Sequence, residues 1–185
     1  RTCIAPRRIF IHAEIAKEWK LMVEEQLRSI PSQELPVGQD RLYREWIQSA
    51  IQEGASPIVG SCDVGKPVSV PLLLDYGNVD MSLAHNDVFA PVSLCISVRT
   101  DEEFLELQDQ CDYRLGASIF SRDLAVSKKL AQKMNVGTVT INDLIAPTAD
   151  PRIPFGGRGL SGHGVTRGKE GLLAMTQPKV ITATR

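Results

Sequence analysis

The chain has 185 residues, 43% hydrophobic and 23% charged, enough for a sizeable buried core and too apolar for disorder. Lys plus Arg number 21 against 22 Asp plus Glu, a net charge of −1, so no basic field supports generic nucleic-acid or anionic-membrane binding. No apolar run approaches the roughly 20 residues of a membrane span. Cys3, Cys62, Cys95 and Cys111 contain no C-x-x-C spacing, which argues against zinc ribbons and dense disulfide frameworks and suits free thiols in a reducing cytosol. His12, His85 and His163 are scattered, so no metal site is expected. The first residue is Arg1 rather than Met, and the chain therefore reads as a piece of something longer.

In chain order, "RIFIH" at 8–12 predicts a strand, and residues 13–30 predict a helix with Ile15, Trp19, Met22, Val23, Leu27 and Ile30 on one face. Pro31, Ser32, Pro36 and Gly38 mark a loop. Leu42, Trp46, Ile47, Ala50 and Ile51 give a second amphipathic helix, stopped by Gly54. "PIVGSC" and "VSVPLLLDY", the latter interrupted by Pro71, predict strands. "PVSLCISV" at 91–98 predicts a strand covered on both faces. Thr100 with Glu103 spells a capping box for a helix over 101–110. A strand at "GASIFS", a helix over 121–135 with Leu124, Leu130, Ala131 and Met134 inward, and a strand at "GTVTIN" follow. The region from 144 is a long Gly- and Pro-rich loop, of the kind that usually carries function. A short helix near 170–175 and a terminal strand "KVITAT" close the chain.

Strands alternating with helices predict an α/β fold, with a mainly parallel sheet flanked by helices. No linker divides the chain, so 1–185 is expected to be a single domain. Gly157, Gly159 and Gly162 spell G-x-G-x-x-G, but a proline-flanked segment precedes them and no helix opens after them. A dinucleotide role for this loop is therefore disfavoured against tight turns and close backbone approach. Ser161 is likewise not in a nucleophile elbow.

Four segments together resemble the aldehyde dehydrogenase superfamily, specifically its C-terminal catalytic half. "CIAPRRIFIH" resembles the segment bearing the nucleophilic cysteine, and "NDVFAPV" the Glu-x-Phe-Gly-Pro-Val cofactor motif. "YRLGASIFSRDLAVSKKLAQKMNVGTVTIND" and "PFGGRGLSGHGVTRGKEGLLAMTQPKVI" resemble two further signatures, in the family's order. The resemblance implies the family's fold and oxidation of an aldehyde with NAD or NADP, through a thiohemiacetal and a thioester on Cys3. Taken alone, Cys3 reads as an ordinary thiol. Arg1, Arg7 and Arg8 are its basic neighbours, and a lowered thiol pKa would suit a nucleophile.

The resemblance also implies that Asp87 and Phe89 meet the nicotinamide ribose and that Phe155 lines the substrate tunnel. Asn142 and Pro154 would hold the tunnel wall. The family usually has Glu where Asp87 stands and Gly where Ala90 stands. Asp reaches about 1.5 Å less far, which calls for a closer backbone, a bridging water or weaker ribose binding. Asp87 also reads as a solvated loop carboxylate, and Phe89 as a core aromatic. Ala149 hints at a roomier tunnel, and Asp150 and Arg152 either meet a polar substrate or pair with each other.

The family's cofactor-binding domain, its general-base glutamate and its oxyanion asparagine would lie upstream of Arg1, so the isolated chain is expected to be inactive. The family often assembles as a homo-oligomer through its terminal strand, and "KVITAT" is a plausible donor; an edge strand within the same subunit is the alternative. Two other functional readings remain: a non-enzymatic oligomerisation remnant, and an enzyme that passes its acyl group to coenzyme A.

Overall fold

The β-branched run 8–12 forms its strand as expected, in a computed structural model that describes residues 2–144 and 150–184. Arg1 and Ala149, both given a part in the sequence reading, lie outside the described residues. The chain divides into two compact units, Arg1–Cys111 and Asp112–Arg185. The boundary falls in "QDQCDY", which has no Gly, Pro or Ser, and this is why the sequence reads as one domain.

The first unit runs β1 (Arg8–His12), α1 (Ala16–Arg28), β2 (Gln33–Glu34), α2 (Val37–Gln52), β3 (Ser56–Ser61), β4 (Ser69–Asp75), α3 (Ser82–His85), β5 (Val92–Val98) and α4 (Asp101–Gln108). β1 lies parallel to β5, pairing Arg8 with Leu94 through to His12 with Val98. β5 lies parallel to β4, pairing Leu72 with Val92 through to Leu74 with Leu94. β2 and β3 join β4 antiparallel, so the sheet is mixed around a parallel centre. β4 carries Pro71 after a cis Val70–Pro71 bond, between the residues that pair with β2 and those that pair with β5.

Both faces of this sheet are covered. Ala16, Trp19, Val23 and Leu27 of α1 pack over Ile11, Leu73 and Cys95. On the other face Tyr43, Ile47 and Ala50 of α2 join Leu72, Leu74, Leu94 and Ile96 in the larger core. β5 therefore buries alternate residues on opposite sides, and its continuous apolar run needs no polar face. Thr100 caps α4 by accepting from the Glu103 N–H at 3.1 Å, and Glu103 Oε2 accepts from the Arg99 N–H at 2.6 Å. The expected capping box is thus present, shifted by one residue on the glutamate side.

The second unit runs β6 (Tyr113–Arg114), β7 (Gly116–Ile119), α5 (Leu124–Lys133), β8 (Thr138–Ile141), β9 (Arg158–Gly159) and α6 (Gly168–Ala174). β7 and β8 are parallel and joined through α5, which Asp123 caps by accepting from the N–H groups of Ala125 and Val126. β9 pairs antiparallel with β6, and the glycines of the G-x-G-x-x-G string run into a turn, with no helix opening directly on them. Gly159 has φ +57° and packs its Cα against the Asp112 carbonyl, a position where a Cβ would clash. These glycines serve turn geometry. The architecture is α/β with mainly parallel pairing, as expected.

Three expectations need correction. The terminal segment 177–184 forms no strand, and Val180 and Ile181 are 84% and 81% exposed. A strand exists only through a ladder partner, and none of the described residues offers one to this segment. Along the predicted helix 13–30, Ile15, Met22 and Ile30 are exposed, because the half-buried stripe of α1 runs through Ala16, Trp19, Val23 and Leu27. Leu124 of α5 is also exposed, while Ser127 is buried and donates its hydroxyl to the Asp123 carbonyl.

Asp40 anchors the first unit. Its Oδ1 accepts from the Val68 N–H at 2.7 Å, and Arg44 Nη2 reaches both of its oxygens at 2.8 Å. Burial raises the Asp40 pKa, and the Val68 N–H and the Arg44 guanidinium outweigh it, leaving the carboxyl below its ordinary value. Its stabilisation is therefore complete above the unfolded carboxylate pKa and fades as pH falls through the lower folded value. Asp40→Asn is expected to cost about 1–3 kcal/mol in urea unfolding at pH 7. The gap from the parent should shrink below about pH 4, where the parent carboxyl also protonates.

Candidate active site

Cys3 sits in a tight turn ahead of β1. The Ala5 N–H donates to the Thr2 carbonyl at 3.2 Å, and the Ile4 N–H to Thr2 Oγ1 at 3.1 Å. This turn leaves Cys3 exposed. Its position follows from the β1–β5 pairing: the Leu94 N–H donates to the Arg7 carbonyl at 2.9 Å, and Ser93 Oγ to the Pro6 carbonyl at 2.8 Å. The loop that leads into β5, residues 86–91, is brought to the same amino-terminal edge of the parallel strands.

Arg7 joins the two. Its Nη2 donates to the Thr2 carbonyl at 3.1 Å, its Nη1 to the Ala90 carbonyl at 3.2 Å, and its Nε to Asp87 Oδ1 at 3.4 Å. Its guanidinium carbon lies 5.3 Å from the centre of the Phe89 ring. The arginine side chain is 16% exposed and the Asp87 side chain 32%. Phe89 is held from behind by α2: its N–H donates to Tyr43 Oη at 3.2 Å, and its carbonyl accepts from Gln39 Nε2 at 3.3 Å. The residue is 39% exposed, so Phe89 is a surface aromatic on a pinned backbone, not a core residue. Arg8 turns away and donates to the Gln108 carbonyl at 3.3 Å.

Cys3, Asp87 and Phe89 thus share one edge of the first unit. The sequence reading missed the arginine that links them, which stood out only as a basic neighbour. It also missed Tyr43 and Gln39. An aromatic in the buried face of α2 was the only available signal for Tyr43.

Phe155 belongs to the second unit. It forms an antiparallel bridge with Thr166, exchanging N–H···O bonds of 2.8 Å in each direction, and Arg167 lies 5.4 Å from its ring centre. Asn142 has φ +55°, and its side-chain amide clamps Ser121 through both its oxygen and its nitrogen at 2.9 Å, as a loop-holding residue should. Asp150 and Arg152 pair with each other at 2.6 Å on the surface, and that hydrogen bond holds the Asp150 carboxyl below its ordinary pKa.

A separate cleft of about 360 Å³ opens towards the carboxyl ends of β1, β4 and β5, away from Cys3. Lys20 and Asp75 line it as an ion pair at 2.6 Å, and that bond raises the Lys20 pKa. No group of His, Cys, Asp and Glu among the described residues could hold a metal, and no helix among them is long and apolar enough to cross a membrane.

The profile of the aldehyde dehydrogenase family matches residues 1–181. An aldehyde dehydrogenase from a Fusarium species is 29% identical over 191 residues, covering 98% of this chain and 41% of that protein. The succinate-semialdehyde dehydrogenase (NADP(+)) of Deinococcus radiodurans is 28% identical over 196 residues, covering 99% of this chain and 41% of that protein. Among solved structures, the NADP-dependent glyceraldehyde-3-phosphate dehydrogenase of Bacillus halodurans, complexed with NADP, has 30% identity and a TM-score of 0.85. That match covers 95% of this chain and 39% of the other. The chain spans about 41% of the length of the two curated relatives.

The four thiols differ in accessibility. Burial raises the Cys62 thiol pKa and pushes that of Cys95 up to about 12, with Asp75 adding to the Cys95 effect. Cys111 is buried. At pH 7, iodoacetamide is expected to modify Cys3 at least about tenfold faster than any other cysteine in the folded chain, read by peptide mass spectrometry. Equal labelling of Cys62 would contradict this ranking.

Proposed function

The chain belongs to the aldehyde dehydrogenase family, and we propose that within a longer protein it supplies the nucleophile and part of the cofactor cradle of an aldehyde oxidation that uses NAD or NADP. The observation that carries the proposal is the exposed Cys3 turn, tied through Arg7 to the loop bearing Asp87 and Phe89.

In this reading the Cys3 thiolate attacks the aldehyde carbon. A carbon–sulfur bond forms, the carbonyl oxygen takes up the charge and then a proton, and the product is a thiohemiacetal. A bound nicotinamide would supply a hydride acceptor; loss of that hydride from the adduct's carbon, with the hydroxyl proton passing to solvent, leaves a thioester on Cys3. Water then attacks the thioester carbon, the carbon–sulfur bond breaks, and the carboxylic acid leaves with the thiol restored. Coenzyme A in place of water would give an acyl-coenzyme A, and product analysis tells the two apart.

The residues at this edge fit a nicotinamide ribose. Arg7 engages Oδ1 of Asp87, leaving the other oxygen of a part-exposed carboxylate to accept from a sugar hydroxyl. The part-exposed Phe89 ring offers an apolar face on a backbone that cannot swing. Phe155 is assigned to the aldehyde's route. Its backbone is locked by Thr166, so a change of side chain there alters the shape of that route without loosening the loop. Homo-oligomer formation through the unpaired segment 177–184, with its exposed Val180 and Ile181, belongs to the same proposal.

In the whole protein, Cys3→Ala is expected to lower kcat/KM for aldehydes by at least about 10³-fold. The dissociation constant for the nucleotide should stay within about twofold, because the thiol makes no uniform binding contribution. A variant that keeps a tenth of the parental rate would remove Cys3 from the mechanism.

A further inference from the structure

We propose that Asp87 is a positioning residue for the Cys3 turn, acting through the Arg7 guanidinium, whatever contact it also makes with a cofactor. The three acceptors of that guanidinium come from three places: the carbonyl of Thr2 next to Cys3, the carboxylate of Asp87, and the carbonyl of Ala90. A guanidinium is a rigid planar fork, so fixing the direction of one N–H fixes the others. Asp87 at Nε and Ala90 at Nη1 therefore aim Nη2 at Thr2.

The plane has a floor as well. The Phe89 ring lies under the guanidinium, and Phe89 is itself held by Tyr43 and Gln39 of α2. The loop cannot shift along the sheet edge without dragging the guanidinium and, with it, the Thr2 carbonyl. Asp87 is the one charged acceptor among the three, and a charge-assisted bond is the stronger kind at equal geometry. Its 3.4 Å length and part exposure temper that advantage, so the coupling is a modest multiple.

The consequence for chemistry rests on the nucleophile assigned above. A turn that wanders by about 1 Å can cost about 10²-fold in rate. Removal of Asp87 should then lower kcat as well as raise the KM for nucleotide, whereas a residue that only meets the ribose moves KM alone.

The deciding experiment needs no turnover. Millisecond hydrogen exchange on the 185-residue chain reads the amides of Cys3, Ile4 and Ala5, the last of which donates to Thr2. Asp87→Ala and Arg7→Lys are each expected to speed exchange there about threefold or more, with β5 amides unchanged. The double variant should exchange no faster than the faster single one, and Asp87→Glu, which keeps the carboxylate, should hold the parental rate. Should Asp87→Ala loosen the whole unit and speed β5 as well, Asp87→Asn, of equal size, makes the same comparison. Parental exchange at residues 3–5 in the folded Asp87 variant overturns the proposal. That outcome would leave the assignment of Cys3 untouched, and an active Cys3→Ala enzyme would leave this coupling untouched.

Discussion

One guanidinium holds the candidate site together. Arg7 reaches across 80 residues of sequence to Asp87 and 83 to Ala90, and back five residues to Thr2. At 16% exposure it is sheltered enough for these bonds to count, yet close enough to the surface that its charge needs no full burial. Without it, the described bonds left to the turn carrying Cys3 are its two internal ones at Thr2, while the loop carrying Phe89 keeps its bonds to Tyr43 and Gln39 of α2, Ser82 of α3 and Leu72 of β4.

Arg7 can do this because of strand register. β1 and β5 run parallel, so the segment entering each strand emerges at the same edge of the sheet. Pairing of Arg8 with Leu94 sets Pro6 and Arg7 beside Ser93 and Leu94, and the bonds from Ser93 Oγ and the Leu94 N–H fasten that end. A slip of one residue would turn each side chain of β1 to the opposite face and carry Arg7 away from the loop. The buried alternation of Phe10, Ile11, Leu94, Cys95 and Ile96 between the two core clusters makes that slip costly. Core packing thus fixes the site indirectly, by fixing register.

The sheet and its order of elements were legible from the sequence where apolar pattern and local chemistry agreed. "RIFIH", "PVSLCISV", the Thr100–Glu103 cap and the segment 137–142 all read correctly, because period, β-branching and capping point the same way there. The fit failed where an apolar residue had a choice of faces. Ile15 and Met22 fit a helical stripe as well as Ala16 and Trp19 do, and only the sheet beneath decides between them. Segment 177–184 has strand composition without a ladder, which no single-chain pattern reveals. α3 was missed because four residues are too few to show a period. At the site, the spacing of Cys3, Asp87 and Phe89 came from family motifs. The Arg7 fork depends on contacts distant in sequence, which composition and periodicity do not encode.

The most direct test of this account is a double-mutant cycle on unfolding free energy, with Arg7→Ala, Asp87→Ala and the pair measured in urea at low ionic strength. The linked geometry predicts a coupling of about 0.5–1 kcal/mol, reduced when salt is added, since the pair is part exposed. Strictly additive costs, with a coupling indistinguishable from zero, would mean that the guanidinium and the carboxylate lie side by side without acting on each other, and the joint between the Cys3 turn and the 87–90 loop would fall with them.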